Sequence, residues 1–204
     1  KAMWGILRAI GSDPKKLEDV EPVQRSAWVA ARYVEGNEAY ESDETTKTEI
    51  DVLNKKVYEL HQTGDRDSDF ARVYWTCRTW SYEGFEQFYD MLGLGKQPDG
   101  THFVYYPESE TAPFGVKVVD EGKQKGIFVE SNGALVYEGE KEGLHTRVFL
   151  TASGLPTYET KDLGLAVKKW QDYHYDRSII ITANDITAYM KVILSALREF
   201  DPVY

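Results

Sequence analysis

Residues 146–182 read TRVFLTASGLPTYETKDLGLAVKKWQDYHYDRSIIIT, and the order of elements in that stretch decides the fold expected of the chain. Residues 146–150 have the composition of a strand. SGLPTY (153–158) turns the chain into a helix over 159–173, and SIIIT (178–182) is a wholly apolar run of the kind found in a parallel strand covered on both faces. Ala183, Asn184 and Asp185 then open a helix that reaches Phe200. Strand, helix, strand, helix predicts a βαβα unit, and so a parallel sheet with right-handed connections.

Upstream of this stretch, THFVYY (101–106) reads as another strand, stopped by Pro107, and a helix is expected over 113–125. GIFVESNGALVYEG (126–139) carries Asn132-Gly133 between two apolar runs, the strongest short hairpin signal in the chain. Earlier still the patterning is helical. Helices are expected over 2–10, 24–40, 49–62 and 69–92, with 40–48 a solvated connection and TGDRDS (63–68) an N-cap region. Trp28, Val29, Ala31 and Tyr33 are core candidates, and the broad aromatic face of the 69–92 helix is expected to be buried. The class is therefore α/β, with a mainly helical part over 1–100 and an α/β part with an inserted hairpin over 101–204.

In parallel sheets ligands bind beyond the carboxyl ends of the strands. That rule gathers Glu108, the Tyr158 segment and Asp185 at one edge. Tyr158 and Asp162 stand four residues apart, so a phenol and a carboxylate share one helical face. Three acidic groups and a phenol suit a cation, and a guanidinium suits them best because its planar fork bonds carboxylates in bidentate fashion. The alternative for each acid is capping of a helix N-terminus, which gains roughly 0.3 to 1 kcal/mol from the dipole. For Tyr158 it is packing on a helix start. A glycosidase pair of carboxylates is a distant third reading, since nothing fixes their separation.

Composition excludes other chemistry. With 24 basic and 34 acidic residues the net charge is −10, which opposes a broad phosphate-binding surface. The single cysteine, Cys77, permits no internal disulfide and points to a reducing compartment, with the cytoplasm the expected location. Cys77 sits among large apolar residues and reads as a core residue rather than a nucleophile. His61, His102, His145 and His174 are scattered without ligand spacing, so no metal site is expected. Neither GxGxxG nor GxxxxGK[ST] occurs, and no apolar run has membrane-spanning length. The start at Lys1 and the stop just after a helix-like run suggest a piece of something longer.

The segments LPTYETKDLGLA (155–166) and DRSIIITANDITAYMKVILSAL (176–197) closely resemble the middle of the catalytic domain of arginyl-tRNA synthetases, which are class I aminoacyl-tRNA synthetases. KAMWGILRAIG (1–11), YEGFEQFYDMLGL (82–94), YYPESE (105–110) and GIFVESNGALVYE (126–138) resemble further parts of that domain in the same order. The resemblance implies part of a Rossmann-like parallel-sheet catalytic domain. It matches Glu108 to the acid that recognises the arginine guanidinium, and Tyr158 and Asp162 to the tyrosine and aspartate of the arginine pocket. Asp185 falls where relatives carry Gln or Asp near the amino acid. The implied partners are L-arginine, ATP as co-substrate, and tRNA(Arg) through the full-length protein, with no membrane and no covalent catalytic residue in this chain. The chain departs from the family where many relatives have SDGT before the tyrosine and Arg before the aspartate: it has SGLPT and Lys161. Neither a HIGH-like nor a KMSKS-like sequence occurs in the 204 residues, so this piece alone is expected not to form arginyl-adenylate. The reading of another class is a noncatalytic arginine-binding or synthetase-like module.

Overall fold

The computed structural model describes residues 1–100 and 102–204, which form two compact units, Lys1–Phe103 and Val104–Tyr204. Helices build the first unit: α1 (Ala2–Ala9), α2 (Arg25–Ser42), α3 (Glu44–Thr63) and α4 (Asp69–Met91). Met3, Ile6 and Ile10 recur at helical spacing and are buried with Leu17, Leu60, Phe70, Val73, Cys77 and Trp80. α1 and α2 approach to main-chain contact: a Cβ at Gly5 would overlap the Arg32 carbonyl oxygen, and one at Gly36 that of Lys1. Asp43 caps α3 by accepting from the Thr46 N–H at 2.7 Å, and Ser68 caps α4 by accepting from Ala71 N–H at 3.2 Å. Two expectations fail here. Ala31 and Tyr33 are exposed, and so are Phe85, Phe88 and Met91 in the second half of α4 and Leu92 just after it; α2 meets that half at Gly84, where a Cβ would overlap the Ser26 side chain, and leaves those four side chains to solvent.

The second unit holds α5 (Glu108–Gln124), β1 (Val129–Ser131), β2 (Ala134–Tyr137), β3 (Arg147–Leu150), α6 (Tyr158–Tyr173) and α7 (Thr187–Phe200). β1 and β2 pair as a hairpin with Val129 opposite Val136 and Ser131 opposite Ala134. Asn132 and Gly133 make its turn with φ +48° and +79°, the left-handed conformations that those residues tolerate. β3 adds to β2, with Val136 opposite Val148 and Tyr137 opposite Arg147. Phe128, Phe149, Leu163, Val167, Val192, Ile193, Ala196 and Leu197 fill the core beneath this sheet.

The sheet is antiparallel throughout the described residues, which corrects the expected parallel βαβα unit. Residues 178–182 form no strand, and Ile181 is 95% exposed. A parallel strand needs layers on both faces, and nothing described here covers this run. Residues 102–106 are likewise not a strand, and Thr101 lies outside the described residues. α5 begins at Glu108, earlier than the expected 113, because Pro113 is accommodated in its second turn. There the missing N–H leaves only the Ser109 carbonyl without its helical donor.

Candidate functional site

One strand end and two helix starts converge in the second unit. The carbonyl of Phe149, in β3, accepts from the Thr157 N–H at 3.1 Å, from the Thr157 hydroxyl at 3.0 Å and from the Thr160 hydroxyl. Those bonds fix the first turn of α6, where Tyr158 is the first residue. Between them, residues 151–155 close a tight loop in which Thr151 N–H donates to the Leu155 carbonyl at 3.0 Å. α5 then crosses α6 at glycine: a Cβ at Gly115 would overlap the Thr160 carbonyl oxygen, and one at Gly164 that of Thr111. With Thr111 and Thr160 buried at the crossing, the beginnings of both helices lie side by side.

The crossing brings Glu108, Tyr158 and Asp162 together. Lys161 Nζ lies 2.7 Å from Glu108 Oε2 and 5.0 Å from the centroid of the Tyr158 ring. Asp162, half-buried, accepts a hydrogen bond from the hydroxyl of Tyr189 on α7. Glu159 pairs with Arg147 Nη1 at 3.2 Å, and the same guanidinium lies 5.2 Å from the Tyr189 ring centroid. Asp185 does not join them. It is exposed in the short turn Asn184–Ile186, and no hydrogen bond or ion pair among the described residues ties it to the other three. Nor does Glu108 follow a strand, as expected; it opens a helix.

Charge at the site follows from this packing. Burial pushes the Asp162 carboxyl above its ordinary value; donation from Tyr189 opposes that rise, and the neighbouring Glu108 and Glu159 add to it. Tyr189 is pushed up as well, first by burial and then by its bond to Asp162. Glu108, Glu159 and Asp162 against Lys161 and Arg147 leave one formal negative charge. Beside the site a shallow, open depression of about 490 Å³ is lined by residues that include Arg147, Thr157, Tyr158 and Glu159.

Tyr189, Arg147 and Glu159 were not legible as site residues. Each reaches the site through tertiary packing, and only Lys161, between Tyr158 and Asp162, carried a local signal. A larger depression of about 690 Å³ in the helical unit, against Trp4, Val52 and Leu53, lacks such convergence: its Glu49 accepts from the Trp4 indole at 2.9 Å. Among the described residues no group of three His, Cys, Asp or Glu could hold a metal ion, and no helix is long and apolar enough to cross a membrane.

Residues 4–204 match the family model described as tRNA synthetases class I (R), catalytic domain. The chain is 31% identical over 140 residues to the arginine-tRNA ligase of Porphyromonas gingivalis strain ATCC 33277, a match that covers 68% of this chain and 22% of that protein. It is 29% identical over 167 residues to the arginine-tRNA ligase of Parabacteroides distasonis, covering 78% and 26%. The chain therefore spans between 22% and 26% of the length of these curated relatives. Among solved structures, a protein described as an arginyl t-RNA synthetase from Campylobacter jejuni superposes with a TM-score of 0.52 at 17% identity, over 72% of this chain and 32% of that one. At that identity the likeness speaks for the fold.

Proposed function

Because the chain belongs to the tRNA synthetases class I (R) catalytic-domain family, we propose that it carries the amino-acid pocket of a longer arginine-tRNA ligase. In this reading Glu108 receives the guanidinium, Tyr158 gives its ring and hydroxyl to the side chain, and Asp162 takes the α-amino group. One observation carries the proposal: Glu108, far away in sequence, comes to the turn of α6 that holds Tyr158 and Asp162, and a cation, that of Lys161, lies against both Glu108 and the Tyr158 ring.

The chemistry that follows needs no nucleophile from this chain. Arginine's own carboxylate would attack the α-phosphate of ATP, and the arginyl group would then pass to the terminal ribose of tRNA(Arg). The contribution of these residues is to hold the amino acid in one orientation, so that its carboxylate is presented rather than searched for. Asp162 is well suited to an ammonium group, because a half-buried carboxylate interacts more strongly than one in open water. Tyr189 keeps that carboxylate aimed. No phosphate loop occurs in the 204 residues, so contacts to ATP are assigned to none of them.

Two measurements test the proposal. Titration calorimetry should show heat for L-arginine and far less for L-lysine, and Asp162→Ala should weaken arginine binding by about tenfold or more, as loss of a charge-assisted hydrogen bond does. Equal heats for the two amino acids, or an unaffected Asp162→Ala protein, would refute the pocket. The 204 residues alone should also show no arginine-dependent exchange of pyrophosphate into ATP. Robust exchange would mean that the chain handles the phosphates by residues not assigned here.

A further inference from the structure

Lys161 stands in the place that the proposed pocket reserves for its ligand. Its ammonium makes a 2.7 Å bond to Glu108 and lies 5.0 Å from the centroid of the Tyr158 ring, the two groups assigned to the guanidinium. The Lys161 side chain is 14% exposed while that of Glu108 is 58% exposed, so the cation is held inward and the carboxylate stays reachable from solvent. Lys161 also belongs to the same helical turn as Tyr158 and Asp162, so its backbone cannot leave the site.

We infer that Lys161 is a tethered competitor which sets the pocket's threshold, so that only a cation binding Glu108 and Tyr158 better than an ammonium can enter. This rests on the pocket reading above. A free lysine would exchange one ammonium for another and lose, because a tethered group acts at an effective concentration on the order of millimolar. A guanidinium offers a planar fork to the carboxylate and a flat face to the ring, and it sheds water more readily. Rejection of lysine would then come from an occupant that must be displaced as well as from a better fit for arginine. The same arrangement makes Lys161 a specificity-determining residue although it need not touch the bound amino acid.

The test compares the 204-residue protein with Lys161→Met and Lys161→Gln, each first checked for an unchanged melting transition. Calorimetry with arginine and with lysine should show both variants binding arginine roughly fivefold more tightly, the factor expected on removing a partly exposed ion pair. Lysine binding should become measurable, and the preference for arginine should shrink. A second readout follows Lys161 itself: its acetylation by acetic anhydride, followed by mass spectrometry, should speed up in Glu108→Gln and in wild-type protein saturated with arginine. Equal arginine affinity and equal preference in wild type and variants would overturn this inference and leave the pocket reading standing. Weaker arginine binding in both variants would also overturn it, making Lys161 a supporting contact. If arginine binds neither wild type nor variants, the pocket reading falls and this inference falls with it.

Discussion

Asp162 illustrates how a single side chain is governed by what packs on it. Its carboxyl is raised above the ordinary 3.8 chiefly by burial, so the folded protein binds this proton more tightly than the unfolded chain does. Wherever the folded state holds more protons, stability falls as pH rises. From about pH 4 upward through the raised value, the wild type should therefore lose stability relative to Asp162→Asn, and thermal melts of the pair across pH 4 to 7 would show the gap closing or reversing. Tyr189→Phe removes the hydroxyl donor and should cost about 1 kcal/mol at pH 7, with a smaller loss in acid. A constant cost across that range would mean that the hydroxyl's contribution does not depend on the charge of Asp162, and no cost at all that Tyr189 acts by packing alone. Cys77 is the other residue whose state is set by burial, which pushes its thiol up to about 12. Ellman's reagent at pH 8 should leave it untouched in the folded protein and react fully once it is unfolded.

Among elements, the α5–α6 crossing decides whether a site exists at all. At Gly164 an added methyl would meet main chain on the facing helix, which cannot swing aside as a side chain can. Gly164→Ala should accordingly destabilise by about 3 kcal/mol and lower arginine affinity together with the melting temperature, because Glu108 moves away from Lys161 and Asp162. A variant that melts early but binds normally would show that the site does not depend on this approach. The helices themselves were legible, with α1, α2, α4 and α6 near their observed bounds, but the expected solvated connection over 40–48 is helical except at Asp43, so that α3 begins at Glu44 rather than at 49. The sheet was read less well. The 146–150 run is a strand, but its partner is the neighbouring hairpin, and SIIIT carries a composition suited to burial without any described layer to bury it. Composition reports what a segment needs, and partners decide what it becomes.

Taken as a whole, the chain leaves apolar surface uncovered in both units, at Phe85, Phe88 and Met91 in one and at Ile179 and Ile181 in the other. Patches of this kind favour association. Sedimentation of the 204 residues should show species heavier than 23.4 kDa appearing as concentration rises, and Ile181→Lys should reduce them; a monomer unaffected by concentration would contradict this. The candidate site was partly legible for the opposite reason. Tyr158 and Asp162 are close in sequence and could be paired by helical geometry, whereas the place of Glu108 beside them depends on two glycines facing each other across a packed boundary. The triple acceptance at the Phe149 carbonyl has one further effect. Tyr158 is 68% exposed and its ring meets the flexible Lys161 side chain, yet its backbone is moored to the buried strand through threonine and peptide groups. Residues 152–156 are thus free to differ from kin in spelling without shifting the tyrosine, which is how SGLPT can stand where many synthetases have SDGT.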